Sequence, residues 1–213
     1  MFVQVIKGKV NDASTIRASL DKWVAELAPG ATGWLGSTTG VTDDGTLIAV
    51  ARFDTEENAR RNSDRPEQGQ WWSEVERQFD GEVTFADSTE VDVNEFGDPN
   101  TAGFVQVMQG RVSDLARSRE LMQQLPDDFE QLRPDILGML NLAHEDGRWT
   151  SVAYFTSEAE ARQRESQEPP PEFVEMMKEM ESLSIGETTY YDLRQVWFHS
   201  PESAPKQSMA SSS

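Results

Sequence analysis

The segment Phe2-Val3-Gln4-Val5-Ile6-Lys7-Gly8-Lys9-Val10-Asn11-Asp12 returns, altered but recognisable, as Phe104-Val105-Gln106-Val107-Met108-Gln109-Gly110-Arg111-Val112-Ser113-Asp114. Each copy reads as a short β-strand, a glycine exit and an aspartate able to cap the helix that follows. The correspondence continues through Gly36 and Gly138, Gly45 and Gly147, Phe53 and Phe155, Arg60 and Arg162, and Phe96 and Phe198, all 102 positions apart. A spacing held that long points to two editions of one folding unit rather than one large domain. The expected organisation is a first repeat over residues 1–96, a polar connector over 97–103, a second repeat over 104–198 and a tail over 199–213. That tail has almost nothing to bury and is expected to be disordered.

Within a repeat the elements follow from pattern. Ile16, Leu20, Trp23, Val24 and Leu27 form a helical stripe closed by Pro29-Gly30. Two β-prone runs, Trp34 to Val41 and Leu47 to Phe53, flank Asp43-Asp44-Gly45, whose glycine accepts the positive φ of a tight turn. Thr55 opens a second helix, interrupted at Ser63–Arg65 and resumed after Pro66; Val83 to Val93 then supplies one last strand. The second copy differs at Pro126, which should break its first helix, at a Ser157/Glu160 capping box, and at Pro169-Pro170-Pro171 before its second helix restarts.

A β-α-β-β-α-β unit is the ferredoxin-like plait, an α+β fold with helices on one face of an antiparallel sheet. The bare face needs a cover, and a second sheet from the same chain would supply it. The repeated strand ending in glycine, the Asp-Gly hairpin, and the entries Phe53-Asp54-Thr55-Glu56 and Phe155-Thr156-Ser157-Glu158 resemble a tandem version of the antibiotic biosynthesis monooxygenase-like family. The resemblance implies an intramolecular dimeric α+β barrel, a monomer with an internal pseudo-dimer for which homodimerisation stays possible. In function it implies cofactor-independent oxidation of a small hydrophobic or aromatic compound. The family's haem-degrading branch fits poorly, because it uses a histidine on the second helix, and neither 58–79 nor 160–183 contains one.

Charge and composition narrow the partners. With 38 Asp and Glu against 19 Lys and Arg the formal net charge is −19, and no basic patch interrupts it, so neither nucleic acid nor a membrane surface is an expected partner. The absence of cysteine removes disulfides and thiolate chemistry. With no secretory leader and no spanning run of apolar residues, a cytoplasmic location is expected. The two histidines, His144 and His199, come from unrelated places, give no metal signature and read as surface residues.

A site is expected between a sheet and its helices. Gln4 is the leading candidate, with Arg52 and Trp72, for catalysis; Trp34, Trp71, Gln106, Tyr154 and Phe173 are candidates for contacting substrate. An amide flanked by valines needs a partner that a ligand oxygen could supply. Arg52 could stabilise a phenolate if it pointed inward, and its counterpart Tyr154 could move a proton. By the 102-residue spacing, Phe173 and Val174 answer to Trp71 and Trp72. Each residue also has a plain structural explanation: Gln4 and Gln106 bonding to protein, the tryptophans packing a core, Arg52 facing water. The methionines of the second half could line an adaptable pocket or simply fill space. Two functions therefore stand at this level, a cofactor-independent monooxygenase and a non-catalytic binding or association module.

Overall fold

The structure, a computed structural model, describes residues 1–126, 129–169 and 171–201. The expectation of a disordered tail falls, from residue 202 onward, outside the described residues, as does Pro170 of the proline run. The chain forms β1 (Phe2–Lys9), α1 (Ala13–Glu26), β2 (Trp34–Val41), β3 (Thr46–Phe53), α2 (Glu56–Ser63), α3 (Pro66–Glu76), β4 (Thr84–Ser88) and β5 (Glu90–Glu95). It continues with β6 (Phe104–Arg111), α4 (Leu115–Gln123), α5 (Phe129–Leu132), β7 (Ile136–Ala143), β8 (Arg148–Phe155), α6 (Glu158–Glu165), α7 (Pro171–Leu183), β9 (Thr189–Leu193) and β10 (Val196–His199).

Two five-stranded antiparallel sheets result, ordered β10-β2-β3-β1-β4 and β5-β7-β8-β6-β9. The fold is thus α+β, and the strand order within each sheet is the same. The chain divides into one compact unit made of Met1–Thr89 and the segment from Trp197 onward, and another made of Glu90–Val196. These bounds differ from the repeat bounds because the single last strand expected over Val83–Val93 is two strands. β4 pairs with β1 in the first sheet, while β5 pairs with β7 in the second. In return β10 joins the first sheet beside β2. The 97–103 connector accordingly belongs inside the second unit, where Gly97 N–H donates to the Leu137 carbonyl and Gly103 N–H to that of Phe155.

The 102-residue spacing holds only as far as α2 and α6. Pro66 opens α3 and Pro171 opens α7, and β4 and β9 begin at Thr84 and Thr189, a spacing of 105. The turn between α6 and α7 is longer, so Trp71 and Trp72 answer to Met176 and Met177, not to Phe173 and Val174. The same shift makes Val93, not Phe96, the counterpart of Phe198: the carbonyl of Asn94 crowds Gly138 as that of His199 crowds Gly36. The expectation of an unbroken register is corrected on both counts.

Local chemistry accounts for the element ends. Asp12 caps α1 by accepting from Ser14 N–H at 3.0 Å, and Asp114 caps α4 by accepting from Arg117 N–H at 2.9 Å. Thr55 and Ser157 cap α2 and α6 through the N–H groups of Asn58 and Glu160. α4 stops at Gln123, ahead of Pro126, as the proline requires. A bulge at Trp34/Gly36 bends β2, and Gly36 takes φ 134° where a Cβ would meet the His199 carbonyl of β10 at 2.6 Å.

The central strands of the first sheet carry buried residues on both faces. In the first unit Phe2, Trp34, Phe53, Trp23 and Val24 form one apolar cluster on the helix side, and Ile16, Leu47, Ala49, Val75, Phe79 and Trp197 another. On the opposite face Val3, Val5, Ile48 and Val50 are 0–1% exposed. No helix among the described residues is long and apolar enough to cross a membrane.

Candidate functional site

Antiparallel pairing fixes which side chains share a row across the first sheet. Ser37, Ala51, Gln4 and Asp87 lie opposite one another on β2, β3, β1 and β4, and the next row on that face is Thr39, Ala49, Ile6 and Phe85. Two alanines at the centre of these rows leave a hollow, because a methyl cannot reach the helices that larger side chains would touch. The hollow is a cavity of about 200 Å³, open at one side, between the sheet and helices α1, α2 and α3. Phe2, Phe53, Trp23, Trp34 and Trp71 wall it; Gln4, Asp87, Ser37, Thr39, Arg60 and Gln68 bring polar groups to it.

The tryptophans are held by contacts with each other and with the protein. Trp23 meets Trp34 edge-on at 5.0 Å between centroids and Trp71 at 6.2 Å. Their N–H groups are already committed, Trp23 Nε1 to Gln68 Oε1 at 2.6 Å and Trp71 Nε1 to the Ser19 carbonyl at 3.1 Å. These two rings therefore offer a ligand faces and edges rather than donors. Gln4 Nε2 donates to Asp87 Oδ1 at 2.8 Å, joining an amide and a carboxylate at one side of the floor. At the other side the Thr39 hydroxyl is buried and has no hydrogen-bond partner among the described residues, in a residue only 1% exposed. A buried hydroxyl without a partner costs about 1–3 kcal/mol, a cost that a ligand oxygen or N–H would relieve. Arg60, at the rim, is engaged by Glu56 at 2.6 Å.

Of the residues expected at a site, Gln4, Trp34 and Trp71 come together here. Arg52 does not: it alternates with the cavity-lining Ala51 and Phe53 and so lies on the other face, between Val3 and Gly36, with its Nε buried and without a hydrogen-bond partner among the described residues. Trp72 turns away to pack on Phe79 and Phe85 at 6.2 and 5.4 Å. In the second unit Gln106 donates to Asp192 at 2.8 Å, where Arg162 also binds at 2.5 Å. Tyr154 alternates with Ala153 and Phe155, which belong to the helix-side cluster, and is therefore buried on the opposite face. Phe173 packs against Phe129 at 6.1 Å. Met139 fills the place that Ser37 holds in the first sheet, so no matching hollow opens over Ala153.

Reading by pattern passed over Asp87, Thr39, Trp23 and Gln68. The alternation in Thr84-Phe85-Ala86-Asp87-Ser88 puts Asp87 on one face with Phe85, but only the pairing with β1 brings it to Gln4. Of the two histidines expected at the surface, His144 is buried and His199 is half-buried. His144 is 8% exposed with Nε2 on the Thr150 hydroxyl at 2.9 Å, and His199 Nε2 lies 2.9 Å from Asp21 Oδ1. Among the described residues no group of three or more His, Cys, Asp or Glu is placed to hold a metal ion.

No protein-family model and no curated protein matches the chain. Solved structures share its fold over nearly its full length. One from Fusobacterium nucleatum, named a "putative monooxygenase", superposes with a TM-score of 0.73 at 12% identity, covering 93% of this chain and 94% of its own. Another of that name, from Lactobacillus acidophilus, gives 0.70 at 14% identity over 94% and 96%. An anthrone oxidase-like protein gives 0.64 at 11% identity over 92% of each chain. At such identities the likeness is one of fold.

Proposed function

We propose that the first unit binds a small planar aromatic compound bearing a hydroxyl or carbonyl, and oxidises it with dioxygen without a metal or flavin. The observation that carries this reading is the aromatic-walled cavity with the Gln4–Asp87 pair on its floor. Its size limits the ligand. An apolar cavity of about 150 Å³ accepts benzene, so about 200 Å³ suits one or two fused rings. Two of the groups first considered for catalysis, Arg52 and Trp72, lie outside the cavity, which leaves Asp87 to take the proton and Gln4 to orient the oxygen.

With 1-naphthol, one dioxygen is consumed for each quinone and water formed. Asp87 accepts the hydroxyl proton, and the naphtholate gives its electrons to dioxygen through C4. The hydroperoxide that forms there on reprotonation loses water, leaving 1,4-naphthoquinone. The aromatic walls would flank the rings of the electron-rich anion, while Asp87, which is exposed, can pass its proton to and from solvent.

The test is oxygen uptake with 1-naphthol, matched to calorimetric binding. Uptake above the blank that falls at least tenfold in Asp87→Asn, with binding kept within about threefold, supports the reading; no uptake by the native protein overturns the oxidation. The arrangement favouring the second function, binding without turnover, is that the Asp87 carboxylate already accepts from the Gln4 amide at 2.8 Å. Tight 1-naphthol binding without oxygen uptake selects it.

A further inference from the structure

The hollow of the second unit is shifted along its sheet relative to that of the first. Row by row its sheet sets Asp92, Asn141, Ser151 and Met108 opposite one another on β5, β7, β8 and β6. Above this row lies a cavity of about 170 Å³, lined by Met108, Met122, Met180, Leu115 and Trp149 together with Asn141 and Ser118. In the first unit the equivalent space is taken by the cluster of Ile16, Leu47, Phe79 and Trp197. The two cavities overlap at Ile6 and Met108, Leu20 and Met122, and Thr39 and Asn141, but the second reaches on to Leu115, Ser118 and Trp149, whose first-unit counterparts Ala13, Ile16 and Leu47 are packed in that cluster.

We propose that this is a ligand site for a small, neutral, largely aliphatic molecule carrying one oxygen acceptor. Three observations point there. Three thioether side chains make walls that conform to an irregular chain, where the first unit presents flat rings. Asn141 Oδ1 accepts from the Ser151 hydroxyl at 2.7 Å, and its Nδ2 donor has no protein partner among the described residues. The Ser118 hydroxyl, in a residue 7% exposed, has as its partner among the described residues only the weak acceptor Met180 Sδ at 3.7 Å. A ligand carbonyl or ether oxygen would satisfy either donor. An anionic ligand is excluded because the cation at the rim is already neutralised, and a cationic one would find two donors, Asn141 Nδ2 and the Ser118 hydroxyl, where it needs acceptors. Arg119 holds Asp92 in a two-point pair at 2.8 and 3.1 Å and Glu90 at 2.7 Å, which leaves a local excess of negative charge that repels a carboxylate. By the benzene yardstick the volume admits a chain of about six to eight carbons.

The experiment uses the full chain with its methionine methyl groups labelled for NMR, and the probes 2-heptanone and heptanoate. The expected result is that 2-heptanone shifts the Met108, Met122 and Met180 signals while leaving Met139 and Met177 in place, and that heptanoate binds at least tenfold more weakly. Asn141→Leu should weaken 2-heptanone by about tenfold, the worth of one buried hydrogen bond. Ser118→Ala, a smaller change, should weaken it severalfold even if the leucine variant fails to fold. Signals unmoved up to the ketone's solubility limit, equal binding of heptanoate, or indifference to both substitutions would overturn the proposal. Filling the first cavity with Ser37→Met should leave this binding unchanged, so the result is independent of whether the first unit binds an aromatic.

Discussion

Ser37 and Met139 hold the same row position in their sheets, and that one difference goes far to explain why a hollow lies over Ala51 and none over Ala153. Replacing Ser37 by Met should close the first cavity. The expected outcome is loss of 1-naphthol binding by at least tenfold in calorimetry, with a thermal midpoint equal to or above that of the native protein, since a methionine there fills space rather than forcing it. Gly36 offers the opposite case. Its φ of 134° and the nearness of the β10 carbonyl mean that Gly36→Ala should destabilise by about 2 kcal/mol or more in denaturant melts. At this scale the sequence revealed identities but not directions. Gln4, Trp34 and Trp71 could be chosen because a buried amide and large rings are unusual whichever way they point. Arg52 and Trp72 could not be placed, because one residue of strand alternation, or about 100° of helix rotation, decides between cavity and elsewhere.

The elements themselves were largely legible. The interruption at Ser63–Arg65, the break before Pro126 and the capping of α2 and α6 follow from backbone chemistry that a sequence displays directly. Thr55→Ala should accordingly cost about 1 kcal/mol, measured by chemical denaturation. The three extra residues between α6 and α7 were hidden, because helix positions three apart still fall on nearly one face and the pattern looked continuous. Register between strands distant in sequence was hidden too, and with it the partners of Asp87 and Asp92. The latter pair has a pH signature. The Arg119 guanidinium holds the Asp92 carboxyl below its ordinary value. Its folded-state pKa being the lower, the stabilisation is complete above the unfolded value of about 4 and disappears as acid takes the pH through the folded value. Arg119→Gln should lower the thermal midpoint at pH 7, and the gap from the native protein should shrink as the pH is brought to 3.

For the molecule as a whole, the net charge of −19 sets a self-repulsion that salt should relieve. The thermal midpoint is expected to rise by a few degrees between low ionic strength and about 0.5 M sodium chloride, a trend that scanning calorimetry would reveal. The duplication made two sheets of one strand order easy to foresee. That the closing strands trade sheets was not, since β5 and β10 are equally good strands in either place, and only the partner on the far side of the ladder tells them apart. A chain ending at residue 195 should therefore lose amide protection along β2, which pairs with β10, and should loosen the cluster that Trp197 completes. Hydrogen exchange that leaves β2 as protected as before would contradict this.

The exchange also orders events in time. The 90–196 stretch is continuous, whereas its companion unit is assembled from the chain's beginning and from the segment that starts at Trp197. During synthesis the ribosome thus releases everything the later-encoded sheet requires before the earlier-encoded one can receive its outermost strand. The aromatic hollow, although encoded first, belongs to the body that is finished last.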